Sequence, residues 1–230
     1  MPASENITRA EAAARSSVIT VDGYDVDLDL TTGPDTFTSV TTVAFTCSEP
    51  GSDSWIDLIA PEVTSVNLNG RDLDPAEVFD GARIHLPGLE PANVLIVQAR
   101  CSYMRTGEGL HRFVDPVDDE VYLYTQFESA DARRMYACFE QPDIKATFTL
   151  HVTAPDHWQV VSNAAPPEPV AVGDGVARWD FSATARMSTY ITALVAGPYH
   201  VERDSYTGSF GTYPLGVFCR SSLASHLDAD

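Results

Sequence analysis

Basic side chains are scarce in this sequence. Its 230 residues include 14 lysines and arginines against 33 aspartates and glutamates, which gives a formal net charge of −19 at pH 7. A charge of that sign repels phosphate backbones and anionic lipid, so we expect neither nucleic acid nor a membrane surface as a partner. It attracts cationic groups such as peptide amines, although an acidic surface also serves solubility alone.

The sequence also lacks the histidine spacing of a helical zinc site. Such a site, His-Glu-x-x-His, places two histidines four residues apart on one helix face. No pair among the six histidines has that spacing: His85, His111, His151, His157, His200 and His226. We therefore predict that this chain supplies no metal ligand.

Cysteines are few, and the beginning of the chain has no long apolar run. The four cysteines are widely spaced and form no Cys-x-x-Cys pair: Cys47, Cys101, Cys138 and Cys219. This spacing favours reduced, mostly buried thiols over a disulfide framework or a zinc site. Residues 1–17 show neither the apolar core of a secretory signal nor a membrane anchor, so we predict a cytoplasmic protein.

What the sequence does contain is strand patterning. Apolar and polar residues alternate over most of the chain, and turn residues separate the alternating stretches. Strands are predicted at 19–30, 37–47, 55–58, 63–68, 71–73, 94–103, 121–127, 145–153, 158–161, 177–181, 189–195, 199–201 and 213–219. Asn69 and Gly70 favour a type I′ turn between two of them. The pattern predicts an all-β fold, a β-sandwich of mostly antiparallel strands with a short N-terminal helix and one short internal helix.

The N-terminal helix is predicted at residues 6–17, which are rich in alanine. Asn6 or Thr8 would cap it, and Glu11 would complete a capping box with Thr8. We expect this helix to pack on the outside of the sandwich.

Two later stretches depart from the strand pattern. Residues 106–120 are interpreted as a solvated loop, because glycines and acidic residues interrupt the alternation. The alternative is that these glycines and acids line a substrate approach or bind a cation. Residues 221–230 begin like a helix and stop after little more than two turns, so we expect the natural polypeptide to continue. The predicted division is a helical segment at 1–17, a β-sandwich domain at 18–220, and at 221–230 the start of a helix leading to an absent domain.

The most informative stretch joins a strand to the predicted internal helix. Residues 121–127 are rich in β-forming types, and Ser129 or Asp131 can cap a helix after them. Pro142 would end that helix. Its apolar residues recur at helical spacing and are predicted to belong to the core: Ala132, Met135, Tyr136 and Phe139.

Gln126 and Glu128 are candidate binding residues. They are two positions apart on the strand, so both side chains project from the same face, directly before the positive end of the predicted helix. A carboxylate beside an amide oxygen suits a cationic ammonium group. The alternative is that Glu128 merely stabilises the start of the helix.

Four short motifs around this stretch carry a family resemblance. Residues 125–128 read Thr-Gln-Phe-Glu, residues 131–134 read Asp-Ala-Arg-Arg, residues 138–142 read Cys-Phe-Glu-Gln-Pro and residues 145–148 read Lys-Ala-Thr-Phe. They resemble the N-terminal domain of zinc-dependent aminopeptidases of the aminopeptidase N family. Glu140-Gln141-Pro142 stands where that family usually has Asp-Glu-Pro, a departure in what we interpret as a turn. The first strand, Val161-Ser162-Asn163 and residues 187–197 are also similar to parts of that domain.

The resemblance implies a saddle-like β-sandwich that forms one domain of an enzyme. The family's Gly-x-Met-Glu-Asn segment is missing here, and no catalytic residue is carried over to this chain. Zn²⁺ would be held by a downstream catalytic domain, and Gln126 and Glu128 would hold the free α-ammonium of a peptide substrate. Arg133 and Arg134 would be structural ion-pair or surface residues.

Three other interpretations remain open. The chain could belong to a non-catalytic scaffold relative of the family, or it could be a stand-alone β-sandwich that binds carbohydrate or peptide. A glycosidase with paired carboxylates is the third, but nothing in the sequence brings two acids to a defined separation.

Overall fold

Strands dominate the structure, a computed structural model that describes residues 6–228. The outermost positions of the two predicted terminal segments, 1–5 and 229–230, lie outside the described residues. The helices are α1 at Arg9–Val18 and α2 at Pro75–Val78. The strands are β1 Ile19–Asp29, β2 Thr36–Cys47, β3 Ser54–Asp57, β4 Glu62–Leu68, β5 Arg71–Leu73, β6 Arg83–Leu86, β7 Ala92–Ser102, β8 Gly109–Val114, β9 Val121–Gln126, β10 Thr147–Pro155, β11 Gln159–Ser162, β12 Val170–Gly173, β13 Val176–Asp180, β14 Leu194–Gly197, β15 Tyr199–Gly208 and β16 Gly211–Arg220.

The predicted all-β sandwich is confirmed. Eight strands form a large sheet in the order β12-β13-β10-β1-β2-β7-β4-β5, and four form a smaller sheet in the order β11-β14-β9-β8. Two strand pairs, β3–β6 and β15–β16, complete the described sheets. Pairing is antiparallel except between β1 and β10, where a long connection makes the parallel arrangement possible.

The core lies on the inner face of the large sheet. Along β7, alternate residues are buried, as the sequence pattern predicts, and β7 lies between β2 and β4. Tyr24 on β1 stacks on Phe148 on β10 with ring centroids 4.9 Å apart. The segment after β9 closes over this face, because Tyr136 and Phe127 lie edge-on to each other and Tyr136 also contacts Tyr24. Each large apolar side chain buried in this way stabilises the fold by about 1.5–3 kcal/mol.

Several local predictions are confirmed. Asn69 and Gly70 have φ angles of 56° and 80°, as a type I′ turn between β4 and β5 requires. Thr8 caps α1, and its capping box with Glu11 is complete. Three of the four thiols are buried, and Cys219 is half-buried.

Other local predictions are wrong. Residues 106–120 contain β8, whose backbone bonds to β9 compensate for the glycines that suggested a loop. The strand predicted at 189–195 begins as a 3-10 turn at Thr189–Ile191, and β14 follows it. The helix predicted at 221–230 is a 3-10 segment at Ser221–His226 that ends before Leu227 can pair with Leu223.

The helix α1 does not simply lie on the outside. Its other residues are largely accessible, but Arg15 is 2% exposed and reaches into the protein. Of the helices among residues 6–228, none has the length and apolar character needed to cross a bilayer.

Candidate functional site

Gln126 is the last residue of β9, which lies between β8 and β14 in the smaller sheet. Leu123 and Phe127 are buried, whereas Tyr124, Gln126 and Glu128 are exposed. Exposed side chains at every second position share one face of an extended chain. We call Tyr124, Gln126 and Glu128 the β9 ledge.

A short hydrogen bond orients the amide of Gln126. The backbone N–H of Glu128 donates to Gln126 Oε1 at 2.7 Å, and the Glu128–Ser129 peptide bond is cis. A side-chain carbonyl oxygen carries two lone pairs, so Oε1 keeps a second acceptor position. The ledge therefore presents an oriented neutral acceptor next to a carboxylate.

The residue that pairs with Gln126 on the neighbouring strand is a glycine. Gly109 on β8 pairs with Gln126, and it has a φ of 63°. A Cβ at this position would lie 2.9 Å from Met104 Cγ and 3.1 Å from Arg134 Cβ, so only glycine fits. The side chains of Met104 and Arg134 therefore fill the space beside Gly109, opposite Gln126.

His111 lies on β8, as Gly109 does, and borders the ledge. Its ring lies 4.8 Å from that of Tyr124, and its Nδ1 accepts from the backbone N–H of Gly107 at 3.2 Å. Sequence reasoning missed His111 and placed Gly109 in a loop, because it interpreted the whole stretch as one. The β-forming residues at 110–114 were the signal for a strand there.

Charges around the ledge leave Glu128 without a salt bridge. Arg134 Nε lies 2.7 Å from Asp131 Oδ1, so the nearby cation is already paired. Hydrogen bonds from Thr106 and from its own backbone, together with Arg134, hold the pKa of Glu108 below its ordinary value. Across residues 6–228, Glu128 itself has no ion-pair partner, and it therefore remains available to an external cation.

The helix predicted after the ledge is wrong. Only a three-residue 3-10 turn forms, at Ala132–Arg134, and neither Ser129 nor Asp131 supplies a side-chain cap. The stretch has apolar residues at helical spacing, but all of residues 135–141 are buried, so no amphipathic face exists. Tyr136 and Phe139 do belong to the core, as predicted. Because so short a turn has little macrodipole, the alternative role of Glu128 as a stabiliser of a helix start loses its basis.

A second polar cluster lies in the interior, and sequence reasoning missed it. Arg15 Nη1 lies 2.6 Å from Asp57 Oδ2, and Arg15 Nε donates to Gln141 Oε1 at 3.2 Å. Gln141 Nε2 donates to the Ala12 carbonyl at 3.0 Å, which ties the helix α1 to the core. We call Arg15, Asp57, Glu140 and Gln141 the buried cluster.

Glu140 joins the buried cluster to the segment after the ledge. Its Oε2 accepts from the backbone N–H of Arg133 at 2.9 Å, and its Oε1 accepts from the Thr189 hydroxyl. Its own backbone N–H donates to Asp57 Oδ2 at 3.1 Å. Burial raises the pKa of Glu140, and the bonds from Thr189 and Arg133 oppose that rise.

These contacts correct the interpretation of Glu140-Gln141-Pro142 as a mere turn. Glu140 and Gln141 are both buried and both bond to distant parts of the chain. Arg133 is buried and so is not a surface residue, and Arg134 forms an ion pair with Asp131, as expected. An arginine in an alanine-rich helix was the one available signal, since a long cation there can reach a buried acid.

The described residues do not fit a zinc ion. Between residues 6 and 228, no group of three or more histidine, cysteine, aspartate or glutamate side chains is arranged to hold a metal. Zinc in proteins is usually held by three or four such ligands. We therefore derive no step of a reaction through a metal in this chain.

Comparison with protein families gives a match at the centre of the chain. A family described as the Peptidase M1 N-terminal domain matches residues 97–191, a stretch that includes the β9 ledge and the buried residues Glu140 and Gln141.

Individual relatives extend the similarity to nearly the whole chain. An aminopeptidase N of Streptomyces lividans is 56% identical over 228 residues, which cover 98% of this chain and 26% of the relative. An aminopeptidase N of Acetobacter pasteurianus is 36% identical over 64% of this chain and 42% of the relative, and that of Bos taurus is 28% identical over 71% of this chain and 19% of the relative. The chain thus spans about a quarter of the length of the Streptomyces protein.

Proposed function

We propose a function from the premise that this chain belongs to the M1 aminopeptidases, in which it forms the N-terminal domain. In this proposal the parent protein removes N-terminal amino acids from peptides with the help of a zinc ion. The present chain recognises the substrate's free amine, and the chemistry of peptide hydrolysis takes place on polypeptide that lies outside it.

The observation that carries the proposal is the state of Glu128. It is exposed, it has no ion pair across residues 6–228, and it stands next to an amide that its own backbone orients. What distinguishes Glu128 from the other exposed carboxylates of this acidic chain is its position beside the oriented amide of Gln126. The free α-ammonium of a peptide offers the cation and the N–H donors that this arrangement lacks.

The magnitude of such a contact suits selectivity for a free N-terminus. A hydrogen bond to a charged group contributes about 1.5–3 kcal/mol, or roughly ten- to a hundredfold in affinity. An internal segment of a peptide has no ammonium group, so it would leave Glu128 desolvated and unpaired when bound. The ledge would therefore favour cleavage at the chain's beginning through binding energy.

The remaining elements of the proposal follow from the family. The zinc ion would be held by the downstream catalytic domain, which is one partner of this chain, and peptides with a free amine are the other. Neither nucleic acid nor a membrane is proposed as a partner, in line with the net charge of −19. A cytoplasmic location is part of the proposal.

The test is Glu128→Gln in the full-length protein, assayed with an aminoacyl arylamide. Loss of the charge lowers kcat/KM by about ten- to a hundredfold, because one charge-assisted bond is lost. Bound zinc per protein stays at the wild-type level. Glu168→Gln, an exposed carboxylate on another loop, is the control and leaves kcat/KM unchanged.

Two outcomes would contradict the proposal. Unchanged kinetics of Glu128→Gln would return this residue to a structural role. A wild-type full-length protein that binds no zinc and cleaves no aminoacyl substrate would support the interpretation as a scaffold relative.

A further inference from the structure

The smaller sheet ends in an open edge at β11. This strand is outermost in the order β11-β14-β9-β8, and the residues that pair with it all lie on β14. Across residues 6–228, no strand pairs with its other side. An edge strand presents unpaired backbone N–H and C=O groups at alternate residues, and such a row can pair with another extended chain.

A cleft of about 510 Å³ runs along this edge, and three consecutive residues of β11 line it: Gln159, Val160 and Val161. Successive side chains of a strand point to opposite faces of the sheet. A cavity that touches all three residues therefore lies along the backbone edge rather than on one face. We call this cavity the β11 cleft, and its volume lies within the range of about 300–1,000 Å³ that is usual for ligand sites.

Prolines in the loop after β11 also line the β11 cleft: Pro166, Pro167 and Pro169. A proline has no backbone N–H, so it cannot donate a hydrogen bond to a neighbouring strand. These residues therefore enclose the cleft without completing the hydrogen-bond ladder of β11. The edge of the strand stays available to an added chain.

The interior of the β11 cleft is aromatic. Trp158, which directly precedes β11, and Trp179 on β13 are both buried and both line it, and Phe218 on β16 forms a further wall. Arg203 stacks over the ring of Phe218 at 5.9 Å and donates to Gln159 Oε1 at 3.3 Å, which holds this wall against β11. An added strand would turn every second side chain toward the rings, so the lining favours a chain with apolar residues at alternate positions.

Charge limits the occupant further. The exposed carboxylate of Asp156, in the turn before β11, borders the cleft, and the whole chain carries a net charge of −19. An acidic peptide and a second copy of this chain are both disfavoured by that charge. A peptide with basic residues at its ends suits the site better.

We propose that the β11 cleft is a second peptide-binding site, which takes an extended peptide by adding it to β11 as a further strand. The inference rests on the proposed function in one respect, namely that the parent protein encounters peptides. It does not depend on Glu128 or on a free amine, because strand addition uses the backbone of the ligand. The β11 cleft is also separate from the ledge, since β14 lies between β11 and β9 and places these two strands about 10 Å apart.

The experiment is hydrogen–deuterium exchange of the full-length protein with a blocked peptide as the probe. The probe is N-acetylated and C-amidated, alternates valine with threonine and has a lysine at each end. It is expected to slow exchange of the backbone amides of β11 severalfold and to leave β5, an edge strand of the larger sheet, unchanged. Absence of added protection at β11 would overturn the proposal, and so would an edge that is already fully protected before the probe is added.

Methylation of the probe's peptide nitrogens, one position at a time, tests strand addition itself. Only alternate amides of an added strand face its neighbour. Methylation at those positions should weaken binding by about two- to tenfold, because one backbone hydrogen bond is lost, whereas the positions between them should tolerate it. Calorimetric titration measures each affinity. A loss that does not alternate along the probe would contradict the proposal.

A pair of matched variants tests the walls of the β11 cleft. Pro167→Asp places a carboxylate against the apolar side of the bound probe and should weaken binding on the order of tenfold. Pro50→Asp adds the same charge at an exposed proline in the turn after β2 and should leave the affinity unchanged. Equal affinities of the two variants would contradict binding in the cleft. The methylation series does not depend on the folding of either variant.

Hydrolysis of an aminoacyl arylamide separates this site from the ledge. The probe has no free amine, so it should leave kcat/KM for the arylamide unchanged. Competitive inhibition together with protection of β8, which lies beside the ledge, would place the probe there and overturn the proposal. Retained probe binding in a Glu128→Gln variant that keeps full activity would support the β11 cleft while refuting the proposed role of the ledge.

Discussion

Glu128 and Glu140 belong to one short stretch of sequence, yet their surroundings are opposite. Glu128 on the β9 ledge is exposed and has no ion pair within the described part of the chain. Glu140 in the buried cluster accepts bonds from Arg133 and Thr189 and lies in the interior. Burial makes Glu140 part of the structural core, whereas exposure leaves Glu128 accessible for the recognition role that we propose for it.

The two regions are physically connected. Glu140 accepts the backbone N–H of Arg133, which lies in the 3-10 turn that follows the ledge. The buried cluster therefore holds the segment that carries Glu128 against the core. Changes in the cluster should alter stability first, whereas changes on the ledge should alter substrate binding alone.

The largest effect is expected from Arg15→Ala. This change leaves Asp57 buried without its cation at 2.6 Å, and removing one partner of a buried pair costs about 3–5 kcal/mol. The free energy of unfolding in urea measures the loss. Arg100→Ala is the control, because Arg100 and Glu62 form an exposed pair for which about 0–1 kcal/mol is expected. Equal losses in the two variants would remove the distinction between the regions.

A smaller effect is expected from Glu140→Gln, and it depends on pH. Burial raises the pKa of Glu140 in the folded state, so above the ordinary value of about 4.3 the folded chain holds a proton that the unfolded chain has released. The stability of the wild type therefore falls as pH rises from that value to the folded pKa, by at most about 1.4 kcal/mol per pH unit.

The variant lacks this proton, so its free energy of unfolding should improve relative to wild type across the same interval. Urea titrations at a series of pH values check the prediction. If the free energies of unfolding of the two proteins change with pH in parallel, burial does not raise the pKa of Glu140.

The smallest effect is expected from Gln126→Ala in the full-length protein. The variant loses one hydrogen bond from the charged substrate amine to a neutral acceptor, worth about 1.5 kcal/mol at the lower end of the range for such bonds, so kcat/KM should fall about tenfold. Stability should change little, because Gln126 is exposed. Steady-state kinetics measure the first quantity and thermal unfolding the second. A large drop in the melting temperature with unchanged kinetics would make Gln126 a structural residue.

The sheet architecture could be predicted from the sequence because strand alternation is local. The inward residues of β7 and the Asn69–Gly70 turn follow from period and backbone preference alone. The local pattern could not show that the helix predicted after the ledge is wrong. In a stretch where nearly every residue is buried, apolar residues occur at helical spacing whether or not a helix forms. Strand β8 was missed because its glycines suggested a loop, whereas Gly109 is required by close contact with Met104 and Arg134.

The buried cluster was beyond sequence reasoning for a different reason. Arg15 and Gln141 are separated by most of the domain, and only tertiary packing brings them within 3.2 Å. Gln126 and Glu128 could be proposed from the sequence because they are neighbours on one strand. Their role in binding stays a prediction that the exposed geometry supports.

We propose that the β9 ledge binds a free amine. The most direct measurement is the ratio of inhibition constants for a peptide analogue with a free N-terminal amine and for its desamino counterpart, in the full-length protein. Wild type should bind the amine about ten- to a hundredfold more tightly, and Glu128→Gln should abolish most of that preference. An unchanged ratio in the variant would contradict the account.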